Sequence, residues 1–142
     1  MYYFAYGSNM DAAQMAKRCP SASLVGPALL RAFAFRINPR GVATIAPDES
    51  AYLYGVLWDV PERDLAGLDS YEGVSRGYYS RVRVTVERAA GTSVDAEVYI
   101  AADRAVGAPA ESYMELIVRA ARAHGLPESY LKELTRWVPT HV

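Results

Sequence analysis

The strongest constraint on this chain is how its β-type runs follow one another. Ala28 to Ile37, Val42 to Ile45 and Ala51 to Val60 are separated only by the turn signals Asn38-Pro39-Arg40-Gly41 and Pro47-Asp48-Glu49-Ser50. Tyr78 to Glu87 and Val94 to Ile100 are joined in the same way around Gly91. Turns this short suit antiparallel neighbours, whereas parallel neighbours need a long crossover. A doubly wound parallel sheet would alternate each strand with a helix, and this chain does not. The expectation is a mixed α+β fold: a small, closed or nearly closed, barrel-like mixed sheet with helices packed outside.

The remaining elements fit around that sheet. Tyr2 to Tyr6 reads as a first strand, broken by Gly7-Ser8-Asn9. Asn9 or Asp11 is suited to cap a helix carrying Met10, Met15 and Ala16, which Pro20 ends. Gly26-Pro27 predicts a turn, and Gly55 a close approach or bulge inside a central strand. Pro61 opens a helix in which Leu65, Leu68 and Tyr71 recur at helical spacing. Val82, Val84 and Val86 alternate with Arg81, Arg83 and Thr85, as in a half-buried strand. Two helices close the chain. Ala110 to His124 carries Tyr113, Leu116, Ile117, Ala120 and Ala121 on one stripe, and Gly125 stops it. Pro127 opens the last, with Tyr130, Leu131, Leu134 and Trp137 facing inward. No repeat or linker divides the 142 residues, so residues 1–142 are expected to form a single domain.

Composition narrows the function. With 51% hydrophobic residues the chain can build a core, and a formal net charge of −1 gives no nucleic-acid footprint. Cys19 is the one cysteine, so neither an internal disulfide nor a cysteine metal site is available. His124 and His141 show no zinc-ligand spacing, and neither is well placed in sequence to serve Ser8 as a base. His124 is explained by a helix C-terminus. No run is long and apolar enough to span a membrane, and the start does not read as a signal peptide. A cytoplasmic protein without metal or cofactor, acting on a small molecule, is the expectation. Eleven tyrosines against three phenylalanines admit two readings: core-edge packing, or a polar pocket lined by a few of them.

Two stretches carry a resemblance. Tyr3-Phe4-Ala5-Tyr6-Gly7-Ser8-Asn9-Met10 is similar to the opening signature of gamma-glutamylcyclotransferases and their AIG2-like relatives, with Met10 where leucine is usual. Leu68-Asp69-Ser70-Tyr71-Glu72-Gly73-Val74-Ser75-Arg76-Gly77-Tyr78-Tyr79 resembles that family's LDxxEGVxxGxY segment. Gly41 to Ile45 and Gly125 to Tyr130 resemble further family elements, in the same order. The resemblance implies a cofactor-independent reaction in which a gamma-glutamyl amide is cleaved by its own α-amine, giving 5-oxoproline and a free amine. It implies that Glu72 is the general base and acid, and that Tyr6, Gly7, Ser8 and Asn9 form the substrate-binding loop. Tyr79 and Tyr113 fall where the family carries pocket tyrosines. Residues Phe35 to Gly41 depart from the family stretch, which leaves the leaving group open: an amino acid, an amine or a larger natural product. Arg36, in that region, reads equally as a carboxylate partner or a surface residue. A homodimer is plausible by family analogy. Plain amide hydrolysis and a non-catalytic binding module on the same scaffold are the rival readings.

Overall fold

Among the described residues the strands are β1 (Tyr2–Ala5), β2 (Ser23–Ile37), β3 (Ala43–Asp59), β4 (Tyr79–Arg88) and β5 (Ser93–Ala101). They close into a barrel in the order β1-β3-β2-β4-β5. The helices are α1 (Ala12–Arg18), α2 (Glu62–Glu72), α3 (Glu111–Ala123) and α4 (Glu128–Thr135). The coordinates are a computed structural model that describes residues 1–139. The hairpin logic holds for β2/β3 and β4/β5, which pair antiparallel over most of their lengths. Closure depends on a parallel contact between β1 and β5 at Tyr3 and Glu97. The mixed sheet with helices packed on it is the architecture expected from the sequence.

Two turn signals were not turns. Gly26-Pro27 lies inside β2, where the register slips between Leu24 and Gly26 and Gly26 takes φ +141°. Pro47 to Ser50 lies inside β3. There Arg31 pairs with Tyr52 but Phe33 pairs with Pro47, so residues 48–51 bulge opposite Ala32. Ala32 itself takes φ +67°, a left-handed conformation rare for a residue with a side chain. The turn chemistry is real, since Asp48 Oδ1 accepts from the Ser50 N–H and hydroxyl at 3.0 and 2.8 Å. It produces a bulge because β2 stays paired on both sides of it.

One hydrophobic cluster draws on every strand and every α-helix. Phe4, Leu53, Leu57, Leu65, Leu68, Met114 and Ile117 are among its fully buried side chains. Gly55 is the close approach expected of it: a Cβ there would lie 2.4 Å from the Ala5 carbonyl oxygen and 2.7 Å from the Phe4 ring. Asp11, not Asn9, caps α1, accepting from the Gln14 N–H at 2.9 Å. Met10 belongs to a preceding 3-10 turn, Ser8–Met10, and Ala16 is exposed. Tyr71 leaves the apolar stripe of α2 and is also exposed. The valine face of β4 opens along its length, from buried Val86 to exposed Val82. Trp137 is half-buried and sets its ring edge-on to Phe35.

Candidate active site

The end of β1, the 3-10 turn and the end of α2 meet at one cavity of about 590 Å³. All seven site residues expected from the sequence line it: Glu72, Tyr6, Gly7, Ser8, Asn9, Tyr79 and Tyr113. Seven of the eleven tyrosines are in its wall, so the tyrosine excess belongs mainly to a polar pocket.

Glu72 is the last residue of α2. Gly73 follows at φ +74°, ending the helix in the left-handed conformation that glycine adopts without strain. The helix stop therefore fixes where the carboxylate emerges. Glu72 is half-buried, and burial raises its carboxyl above the ordinary glutamate range. The Arg18 charge and the Asn9 amide partly oppose that rise. It is the only carboxylate among the residues lining the cavity.

Asn9 is the hub of the deep wall and is 4% exposed. Its Nδ2 donates to the Tyr3 hydroxyl at 2.9 Å and to Glu72 Oε1 at 3.4 Å. Its Oδ1 accepts from Gln14 Nε2 at 2.9 Å and from Arg18 Nη1 at 2.7 Å. Its carbonyl accepts from Trp58 Nε1 at 3.1 Å. Gln14 Nε2 also donates to Ser8 Oγ at 2.7 Å, so one side chain braces the loop at two points. The N–H groups of Gly7 and Ser8 meet no acceptor among the described residues. Gly7 packs so closely that a Cβ would sit 3.1 Å from Ala43 Cβ and 3.8 Å from the Tyr113 hydroxyl.

Tyr79 and Tyr113 grip the same residue from two elements. The Tyr79 hydroxyl donates to the Ala43 carbonyl at 2.8 Å, and the Tyr113 hydroxyl accepts from the Ala43 N–H at 3.0 Å. Burial raises both phenols above the usual tyrosine range, so both are neutral hydroxyls at ordinary pH. The Tyr79 proton is committed to Ala43, which leaves its oxygen to accept. The Tyr113 oxygen accepts from Ala43, which leaves its proton to donate.

Periodicity did not single out Gln14 and Arg18, because it tracks apolar positions. The available signal was their spacing, i and i+4, which puts them on one face of α1. Arg18 also stacks on Tyr71, with its guanidinium 3.7 Å from the ring centroid, and Nη2 donates to the Tyr71 hydroxyl. Arg36 is not in the wall and donates to the Arg104 carbonyl at 3.0 Å. His124 Nε2 meets the Met10 carbonyl at 2.7 Å and its ring lies edge-on to Trp58, whereas the Ser8 hydroxyl bonds with Gln14. His141 lies outside the described residues. No cluster of three or more metal-ligating side chains occurs among the described residues, and no helix there is long and apolar enough to cross a membrane.

Residues 52–134 match the family model described as the AIG2-like family. The chain is similar to the gamma-glutamylcyclotransferase of Bos taurus, 32% identical across 96% of this chain and 78% of that protein. It is similar to the Homo sapiens gamma-glutamylcyclotransferase, 30% identical across 93% of this chain and 76% of that protein. A solved structure titled gamma-glutamyl cyclotransferase superposes with a TM-score of 0.92, at 28% identity, over 100% of this chain and 90% of that one.

Proposed function

The chain belongs to the gamma-glutamylcyclotransferase/AIG2-like family, and from that premise we propose that it converts a gamma-glutamyl amide into 5-oxoproline and a free amine, with Glu72 carrying the protons. The observation that carries the reading is the lone carboxylate of the cavity. Glu72 is half-buried and held at the end of a helix, with a raised pKa, in the same wall as the Tyr6–Asn9 loop.

The substrate's α-ammonium is no nucleophile until it loses a proton, and the departing amine is a poor leaving group until it gains one. The nitrogen–carbon bond of the ring forms as the amide carbon–nitrogen bond breaks. Between substrate and products two protons leave the α-nitrogen and two arrive on the leaving nitrogen, with no water consumed. One carboxylate within reach of both nitrogens can carry them, as general base and then as general acid. A raised pKa suits that double duty, because a carboxylate that holds its proton too weakly takes it up poorly.

The unpartnered Gly7 and Ser8 N–H groups are suited to the oxyanion that develops on the γ-carbonyl. The Tyr113 hydroxyl is suited to donate to an anionic oxygen of the glutamyl group, and the Tyr79 oxygen to accept from its amine. Holding the glutamyl chain folded brings amine and carbonyl together, which is the larger part of a five-membered closure.

The test is turnover of a panel of gamma-glutamyl dipeptides and amines in ¹⁸O-water. Unlabelled 5-oxoproline is the expected product. Labelled glutamate would mean hydrolysis and would overturn the reading.

A further inference from the structure

At the cavity's deep wall the Asn9 side chain is engaged at both ends, but at its mouth the charged side chains lack counter-ions among the described residues. Two arginines there, Arg40 and Arg76, are exposed and line the same cavity as Glu72. Both rest against one ring: Arg40 Cζ is 4.1 Å and Arg76 Cζ is 5.4 Å from the centroid of Tyr78. Neither has a carboxylate within ion-pair distance among the described residues, although Arg31, Arg81 and Arg83 each do. Two like charges gathered at one ring repel each other, and an anion between them would relieve that repulsion.

The mouth is built to hold them there. Arg40 sits in the turn between β2 and β3, organised by Asn38, which is 1% exposed. Asn38 Oδ1 accepts from the Arg40 N–H at 3.0 Å, and Asn38 Nδ2 donates to the Asp103 carbonyl at 3.0 Å. Arg76 folds back over Gly73, with Nη2 3.2 Å from where a Cβ would stand. That puts its charge beside the residue next to Glu72. Arg76 and Tyr78 occupy open positions of the LDxxEGVxxGxY pattern, and Arg40 lies in the segment that departs from the family stretch. The cluster is therefore separate from the residues that carry the common reaction.

We propose that Arg40 and Arg76, seated on Tyr78, bind a carboxylate on the leaving group, so that this chain selects gamma-glutamyl amides of amino acids over those of neutral amines. This rests on the reading of the cavity given above. Arg18 is set apart from this pair, because its Nη1 bond to Asn9 and its Nη2 bond to Tyr71 hold its guanidinium against the deep wall. An arginine pair can hold a carboxylate through charge-assisted hydrogen bonds that a neutral leaving group cannot form.

The test compares gamma-glutamyl-alanine with gamma-glutamyl-ethylamine, whose leaving amine is alanine without its carboxylate. Wild type should favour the alanine compound in kcat/KM by about tenfold or more. Arg40→Gln with Arg76→Gln should bring the ratio towards one, and Arg40→Glu with Arg76→Glu should invert it. A ratio that is the same in wild type and the double glutamine variant overturns the proposal, as does a wild-type preference for ethylamine. Calorimetric binding of both compounds to the Glu72→Gln protein reads the anion site without turnover. An arginine-dependent preference in binding, with no 5-oxoproline from wild type, would uphold the anion site while the reaction fails. Turnover of both compounds at a ratio indifferent to the arginines would uphold the reaction while the anion site fails.

Discussion

At the deep wall of the cavity, both side-chain ends of Asn9 are engaged and the residue is 4% exposed. At the mouth, Arg40 and Arg76 are exposed and share one tyrosine ring in place of a counter-ion. A buried polar group left without a partner is costly, so the deep wall tolerates few alternatives. An exposed cation held by a ring costs little to leave or to change. In this account the deep wall sets the reaction, and the mouth sets which amine departs.

Breaking the deep wall should have the larger consequences. Asn9→Ala removes the donor to Tyr3 and Glu72 and the acceptor for Gln14 and Arg18. Stability should fall by about 2 kcal/mol and kcat by about a hundredfold, read by denaturant titration and by 5-oxoproline release. If either value is unchanged, the hub is not needed.

Arg18→Gln sharpens the comparison, because it touches the deep wall through charge. Arg18 lowers the Glu72 pKa, against the larger rise from burial. Without it the carboxyl should rise further. A general base works only when ionised, so the acid limb of kcat/KM should move to higher pH. An unmoved limb would assign it to another group.

Glu72→Gln should also raise thermal stability above the carboxylate range. The sign follows from linkage: the folded pKa lies above the unfolded one, so the folded state binds more protons between them. Stability contributed by Glu72 is thus lost as pH rises through that window. The variant should melt a few degrees higher than wild type at neutral pH, and the gap should close below the ordinary glutamate pKa. A gap independent of pH would contradict this.

The smallest effect belongs to the mouth. Tyr78→Leu removes the shared ring, and the selectivity between charged and neutral leaving amines should weaken by about threefold, with the melting temperature nearly unchanged. A large loss of stability would move Tyr78 from the mouth into the core.

The two regions also differed in how far the sequence revealed them. Tyr6 to Asn9 and Glu72 stood in recognisable stretches, and the apolar stripes of α3 and α4 marked their inner faces. Gln14 and Arg18 left no such mark, because a polar pair on a helix ordinarily faces water. Nothing in the sequence sets Arg40 and Arg76 apart from other arginines; only the fold brings them to one ring. Gly26-Pro27 and Pro47 to Ser50 misled for another reason. The residues that make a turn also make a bulge, and long-range pairing with a neighbouring strand decides between them. The Tyr3–Glu97 pairing that closes the barrel has no local signal at all.

The most direct test of Glu72 is 5-oxoproline formation by wild type and by Glu72→Gln, with circular dichroism and melting curves run on both. Wild type should form product, and an equally folded variant at least about a thousandfold less. Equal turnover by the two would remove Glu72 from the chemistry.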